Sequence, residues 1–206
     1  FTVQVQTEEV KSAGRKVASL EEFLHIARED FHEAYRIFTE RHFSLILSDQ
    51  SEKIRSLYAG MSQQPVTYQH LEEFLIAAGA KEKVTLSLNR EEAGFYDVSE
   101  SVQESLYIHR SGWGHLRADI EVNGDFLEAG KHVVTEEDFI GSTCEINYVI
   151  RQEKLGKGNQ YGEIIVKTPY QKLVYHVLAS RGTESAVNLD LLEKQYRISL
   201  MKEYLG

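Results

Sequence analysis

The residues that could bind a metal ion are the eight histidines of the chain. No two of them form the HExxH pattern of a zinc enzyme, and the single cysteine, Cys144, excludes a cluster of zinc-bound thiolates. His109 and His115 come nearest to a site, because they flank the Gly-Trp-Gly turn around Trp113. No ligand spacing accompanies them, so the sequence predicts solvent-facing or hydrogen-bonded loop histidines and no metal site.

Nucleophilic catalysis would need an activated cysteine or serine, and the sequence indicates neither. Cys144 opens the alternating run Cys144–Ile150, which places it on the apolar face of a strand and predicts a small core side chain. No GxSxG motif occurs. The glycines of Gly156–Gly162 lack the spacing of a phosphate-binding loop and precede a strand-like segment, so we expect a hairpin loop. The sequence therefore predicts no catalytic residue and no cofactor.

The charge balance disfavours nucleic acid as a partner. The chain has 32 acidic and 23 basic residues, a formal net charge of -9, which would repel a phosphate backbone. The acidic run Glu136–Asp138 lacks the alternating oxygen ligands of a calcium loop and predicts a solvated turn. Apolar runs such as Phe74–Ala78 are far shorter than the roughly 20 residues of a membrane helix, so no membrane segment is predicted.

Aromatic side chains are the remaining candidates for ligand binding. Five of them fall in or beside predicted strands: Tyr107, Trp113, Tyr161, Tyr170 and Tyr175. A flat exposed set of rings would stack on a sugar or dock a peptide, whereas alternating aromatics usually fill a core. We expect most of them to be core residues and Trp113, between two glycines, to be the exposed exception. Trp113, Tyr107 and Tyr161 are the candidate ligand-binding residues.

Residues 17–83 have the period of short amphipathic helices. Three capping pairs predict helix starts: Ser19 with Glu22, Asp30 with Glu33, and Asp49 with Glu52. A fourth helix follows Pro65 and ends at Gly79, which we expect in the left-handed conformation. Since short helices are unstable alone in water, we expect these four to pack together as a helical subdomain.

Residues 84–182 have the period of strands. The pattern predicts about seven strands, bounded by polar or glycine-rich turns, as is typical of a two-sheet sandwich. They cover residues 84–88, 102–108, 116–122, 131–134, 144–150, 162–167 and 173–178. No long helix interrupts them, which favours antiparallel pairing. The predicted fold class is α+β, a helical subdomain beside an antiparallel immunoglobulin-like β-sandwich.

Both ends of the chain have the pattern of elements that belong to a larger protein. Phe1–Thr7 alternates like a strand, and we expect residues 1–16 to be a strand and linker from a preceding domain. Residues 183–206 predict a C-terminal helix with Leu189, Leu192, Tyr196 and Leu200 on one face. This helix either docks on the sandwich or starts a helical repeat.

Six segments of turn and core residues follow one another in a recognisable order. They are Leu71–Leu75, Trp113–Leu116, Gly124–Leu127, Asp138–Gly141, Cys144–Tyr148 and Gly158–Ile164. Together they resemble the N-terminal half of large, uncharacterised bacterial proteins over nearly the whole chain. The resemblance implies immunoglobulin-like sandwiches joined by a small helical insert and followed by a long helical-repeat region. It implies no catalytic residue.

The sequence predicts a non-catalytic structural or protein-interaction module of a larger multidomain protein. Its expected partners are the flanking domains of the same chain, or another protein. The alternative is a carbohydrate-binding accessory module that uses Trp113 and nearby tyrosines. An enzyme would require a polar cleft between the helical and sandwich parts, with converging histidines and acids. The single cysteine suits a reducing compartment, so a cytoplasmic location is predicted.

Overall fold

The computed structural model describes residues 8–182 and 189–205, so the predicted strand Phe1–Thr7 lies outside it. Its α-helices are α1 (Leu20–Glu29), α2 (Phe31–Phe38), α3 (Glu52–Met61), α4 (Tyr68–Ala77) and α5 (Leu189–Leu205). Its strands are β1 (Lys11–Ser12), β2 (Arg15–Lys16), β3 (Thr85–Leu88), β4 (Glu92–Phe95), β5 (Val102–Ser111), β6 (Arg117–Asn123), β7 (Leu127–Ala129), β8 (Val133–Thr135), β9 (Thr143–Ile150), β10 (Asn159–Lys167) and β11 (Lys172–Ser180). Short 3-10 helices cover Phe43–Leu47, Glu136–Asp138 and Gln152–Lys154. None of these described helices is both long enough and apolar enough to span a membrane.

Polar side chains fix where the first three helices begin. Ser19 and Asp30 cap α1 and α2 as predicted, each accepting a hydrogen bond from the backbone N–H three residues later. The expected start at Asp49 is wrong by two residues. Ser51 caps α3 instead, because its hydroxyl stands where it can accept from the N–H of Ile54, at 3.4 Å.

The fourth helix is capped by a pair that includes a histidine. Thr67 accepts from the N–H of His70 at 3.2 Å, and Nδ1 of His70 accepts from the N–H of Thr67 at 3.1 Å. His70 thus performs the role that Glu or Gln has in an ordinary capping box. Beyond α4, Gly79 has a φ of +73° and so adopts the predicted left-handed conformation.

Aromatic rings form the centre of the helical core. Phe23, Phe38, Phe43 and Phe74 are completely buried, and Phe23 meets Phe43 edge-on with ring centroids 4.7 Å apart. The segment before α1 also belongs to this core. The hairpin of β1 and β2 is flanked by two buried valines of the same cluster, Val10 and Val17. The described part of the expected linker 1–16 therefore packs on the helical core.

The remaining strands form two sheets whose inner side chains share one core. The five-stranded sheet has the order β4-β11-β10-β6-β8, and the four-stranded sheet has the order β3-β5-β9-β7. The pairing is antiparallel, as predicted, except that β4 runs parallel to β11. The sequence pattern misses β4 and β7, two short strands of four and three residues. The fold is α+β.

A hydrogen bond between two tyrosines joins the two sheets inside their common core. The hydroxyls of Tyr148, on β9, and Tyr175, on β11, lie 2.8 Å apart, and both side chains are fully buried. Burial, helped by the bond to Tyr175, raises the pKa of Tyr148 far above its usual value. The pair allows two large polar side chains to fill an otherwise apolar layer.

We predict that Tyr175→Phe lowers the free energy of unfolding by about 1–3 kcal/mol, because it leaves the buried Tyr148 hydroxyl without a partner. Adding Tyr148→Phe should restore part of the loss, since it removes the unpaired group. Chemical denaturation of both variants measures the effect, and Tyr107→Phe on the exposed face of β5 is the matched control. A double variant no more stable than Tyr175→Phe alone would contradict the prediction.

Candidate functional site

The loop between β5 and β6 reaches into the helical part of the molecule. Gly112 and Gly114 have φ angles of +88° and +108°, and this backbone places the ring of Trp113 against the helical core. The Lys81 Nζ lies 5.1 Å from the ring centroid. The expectation that Trp113 is exposed is therefore wrong, because the helical subdomain covers the turn, and its role in ligand binding stays a prediction.

A buried ion pair lies directly beneath this loop. Glu72, on α4, pairs with Lys81, and each side chain is only 1% exposed. The second carboxylate oxygen of Glu72 accepts from the backbone N–H of His115 at 3.1 Å. Burial lowers the pKa of Lys81, against the opposing effect of its hydrogen bond to Glu72. The pair thus joins the helical part to the loop of the sheets.

The next loop residue extends the junction. The His115 ring stacks on Phe31 and Tyr68, with centroids 6.3 and 5.6 Å away. Its Nδ1 lies 3.5 Å from Glu136, which also accepts from the backbone N–H of Leu116 at 3.1 Å. Burial raises the pKa of Glu136, but these hydrogen bonds outweigh burial and keep it below its usual value. The sequence predicts a solvated turn here, and for Glu136 this prediction is wrong. Glu136 is a half-buried hydrogen-bond acceptor for the loop.

A second set of contacts joins the two parts beside the first. The Gln69 amide, on α4, donates to the Tyr170 hydroxyl at 2.9 Å, and Lys83 lies over the Tyr170 ring at 4.7 Å. The neighbouring Gln171 accepts from the N–H of Leu86 at 2.7 Å and donates to its carbonyl oxygen at 3.2 Å. Gln171 thereby satisfies both backbone hydrogen-bonding groups of Leu86 at the free edge of β3.

The three predicted ligand-binding residues do not meet. Trp113 faces the helical core, while Tyr107 is 39% exposed on the outer face of the four-stranded sheet and Tyr161 is 46% exposed on the outer face of the five-stranded sheet. Both tyrosines alternate with core residues of their strands, so the pleat turns them outward. Of the five aromatics, Tyr175 is the one completely buried, so the expectation that most are core residues is too broad.

The other chemically competent residues are separated in the same way. Cys144 is a buried free cysteine, as predicted, and burial raises the pKa of its thiol. Nδ1 of His109 lies 3.0 Å from the hydroxyl of Thr143, whereas His115 belongs to the junction. In the part of the chain that the structure describes, no group of three or more His, Cys, Asp or Glu side chains could hold a metal ion.

The surface that sequence reasoning missed lies on α5. This helix contacts the five-stranded sheet through Tyr196, whose ring stacks on Tyr161 at 5.1 Å. Tyr196 and Leu200 are half-buried, in line with the predicted apolar stripe, and the side chains of Leu189 and Leu192 are outside the described part. A second set points to solvent: Ile198, Met201 and Tyr204 are 50%, 60% and 83% exposed. We call these three residues the α5 outer face, and their three-residue spacing was its only signal in the sequence.

The sequence model of a "Family of unknown function (DUF5717) N-terminal" matches residues 1–206. This match confirms the resemblance to an uncharacterised family, whereas the helical-repeat region that the resemblance implies stays a prediction. No curated protein matches the chain.

Similar solved structures are distant. They include WR4, an MSP family member of C. elegans (5% identity, 46% of this chain and 97% of that chain, TM-score 0.36). A family 123 glycoside hydrolase from Clostridium perfringens has 6% identity over 48% of this chain and 27% of that chain, with a TM-score of 0.36. A FixG-related protein from Vibrio parahaemolyticus has 10% identity over 50% and 99%, with a TM-score of 0.34. Likenesses of this size establish neither a shared fold nor a shared function.

We predict that Lys81→Met destabilises the protein by about 3–5 kcal/mol, because it leaves the Glu72 carboxylate buried without its partner. The double variant Lys81→Met with Glu72→Leu should recover much of this loss, since no buried charge then remains. Thermal and urea unfolding compare the two. A single variant as stable as the parent chain would show that the pair does not hold the junction.

We also predict that Gly114→Ala lowers stability by about 2–5 kcal/mol, through its positive φ and through overpacking. A Cβ there would lie 2.5 Å from both Glu72 Oε2 and Lys81 Nζ. Gly14→Ala is the matched control, because Gly14 also has a positive φ, +79°, but no heavy atom within 4 Å of the added Cβ. Equal losses in the two variants would assign the whole effect to backbone strain.

Proposed function

Since the chain belongs to the DUF5717 N-terminal family, whose function is unknown, we propose its function from the geometry: it is a non-catalytic interaction module of a larger protein. In this proposal the helical part and the two sheets form one rigid support. This support holds α5 so that the helix can contact another part of the same protein. The observation that carries the proposal is the α5 outer face.

The α5 outer face is the kind of surface that a partner covers. Ile198, Met201 and Tyr204 are all at least half exposed and lie along one side of a helix. Contiguous exposed apolar side chains on a helix mark an interaction site, because leaving them in water is unfavourable. The proposed partner is the helical-repeat region, whose first repeat would complete its core on α5.

The support is suited to this role because its two parts share buried contacts. A buried ion pair tolerates little movement, since separating its charges inside the protein costs free energy. Glu72, Lys81 and the His115 backbone therefore oppose rotation of the helical part against the sheets. The two sheets, with their shared core, support an immunoglobulin-like sandwich as the finer description of the fold. A cytoplasmic location stays a prediction based on the single free cysteine.

A carbohydrate-binding function for Trp113 with Tyr107 and Tyr161 is not part of the proposal. The two tyrosines lie on the outer faces of different sheets, and the tryptophan ring packs on the helical core. A sugar needs rings and hydrogen-bonding groups on one surface, so these three residues do not form a common stacking platform.

Methionine oxidation tests the proposed interface. The chain has two methionines, of which Met201 is 60% exposed on the α5 outer face and Met61 is half-buried against the helical core. We predict that peroxide oxidises Met201 about tenfold more slowly when the chain is expressed with the sequence that follows it in its full-length gene product. The rate at Met61 should not change, which makes it the internal control. Mass spectrometry measures both rates.

Equal oxidation of Met201 in the two proteins would mean that the α5 outer face stays in solvent, and the proposal would fail. Ile198→Asp in the longer protein provides a second measurement. This substitution should restore fast oxidation at Met201, because a charged side chain cannot be buried in an apolar interface without a partner.

A further inference from the structure

A groove lies between the inner side of α5 and the outer face of the five-stranded sheet. It has a volume of about 680 Å³. Helical spacing places its residues Tyr196 and Glu203 on the side of α5 opposite the α5 outer face. The sheet contributes Tyr161, Glu163 and His176. The groove is therefore a separate surface from the proposed protein interface.

Two tyrosine rings and an unpaired hydroxyl define one end of the groove. The rings of Tyr161 and Tyr196 are stacked with an interplanar angle of 21°, and the His176 ring meets Tyr196 edge-on at 6.1 Å. The Tyr196 hydroxyl oxygen is buried and has no hydrogen-bond partner among the residues that the structure describes. A buried polar atom without a hydrogen bond is unfavourable, so this oxygen would gain the partner it lacks from a donor bound beside it.

Carboxylates supply the charge of the groove. Glu163 accepts from the Asn123 amide at 3.3 Å and has its other oxygen 3.7 Å from Nδ1 of His176. Glu203 adds a second carboxylate from α5, and the described residues that line the groove include no lysine or arginine. Burial, and then the nearby carboxylates of Glu92 and Glu163, raise the pKa of Tyr196. The part of this rise in pKa that the carboxylates cause indicates a negative electrostatic potential at the Tyr196 hydroxyl.

We propose that this groove binds an alkylammonium group, held by Glu163, Glu203 and the Tyr196 hydroxyl oxygen. An ammonium ion has three donors and no acceptor, which matches three oxygen acceptors. Its alkyl chain would lie along the tyrosine rings, whose faces also attract a cation. A lysine side chain of a peptide and a free aliphatic amine both carry this chemistry.

Titration of the ¹⁵N-labelled chain followed by NMR tests the proposal. The two probes are n-butylammonium chloride, for a free amine, and N-acetyl-lysine methylamide, for a lysine of a peptide. We expect saturable shifts of the amides of β10, β11 and α5. Tighter binding of the lysine derivative would identify a peptide as the source, and tighter binding of n-butylammonium would identify a free amine. Sodium chloride at equal ionic strength and the neutral 1-pentanol are the controls.

Three variants locate the binding. Glu163→Gln and Glu203→Gln each remove one carboxylate charge, and we expect each to weaken binding by about fivefold or more. Tyr196→Phe keeps the ring and removes the hydroxyl, and we expect about threefold weaker binding. Glu145→Gln, on the outer face of the other sheet, is the matched control and should leave the affinity unchanged. Glu203 is on α5, whereas Glu163 is on β10. If the substitution of Glu203 displaces the helix, the variant at Glu163 still tests the proposal.

The proposal fails if the ammonium probes shift no more amides than sodium chloride, or if 1-pentanol binds equally well. It also fails if both carboxylate variants bind like the parent chain. These outcomes are independent of Met201 oxidation, which tests the other side of α5.

Discussion

The buried pair of Glu72 and Lys81 is the interaction on which the arrangement of the molecule depends. Two charges buried away from solvent are stable only when each is paired and hydrogen-bonded. The Glu72 carboxylate has two partners, the Lys81 ammonium group and the backbone N–H of His115 in the loop between β5 and β6. Gly114 allows that loop to approach, because a Cβ at this position would contact both charged groups. An electrostatic requirement in the helical part therefore fixes the path of the chain in the sheets.

Polar groups inside the sheets obey the same requirement. Tyr148 and Tyr175 bring two hydroxyls into the shared core, where each is the other's partner. At the edge of β3, the Gln171 amide satisfies both backbone groups of Leu86. A pair of tyrosines thus satisfies the polar groups of the core, and one glutamine satisfies those at a sheet edge.

The helix α5 differs from the rest because its two sides are chemically unlike. Its inner side contacts the sheet through Tyr196 and borders an acidic groove, while its outer side carries apolar residues in solvent. A helix with apolar residues on one side and a polar groove on the other can contact two unlike partners at once. Family membership alone gives no indication of this, since the family has no known function.

Local chemistry made much of the fold predictable from the sequence. Ser19 and Asp30 cap helices because their oxygens reach nearby N–H groups, and the period of two in β5 and β9 identifies strands and the buried Cys144. Only the tertiary structure decided which residues meet across the chain. Trp113 looked exposed in the sequence but packs on a core more than thirty residues away, and the pairing of Glu72 with the His115 backbone spans 43 residues. No local pattern encodes such contacts, because they depend on how the completed elements pack.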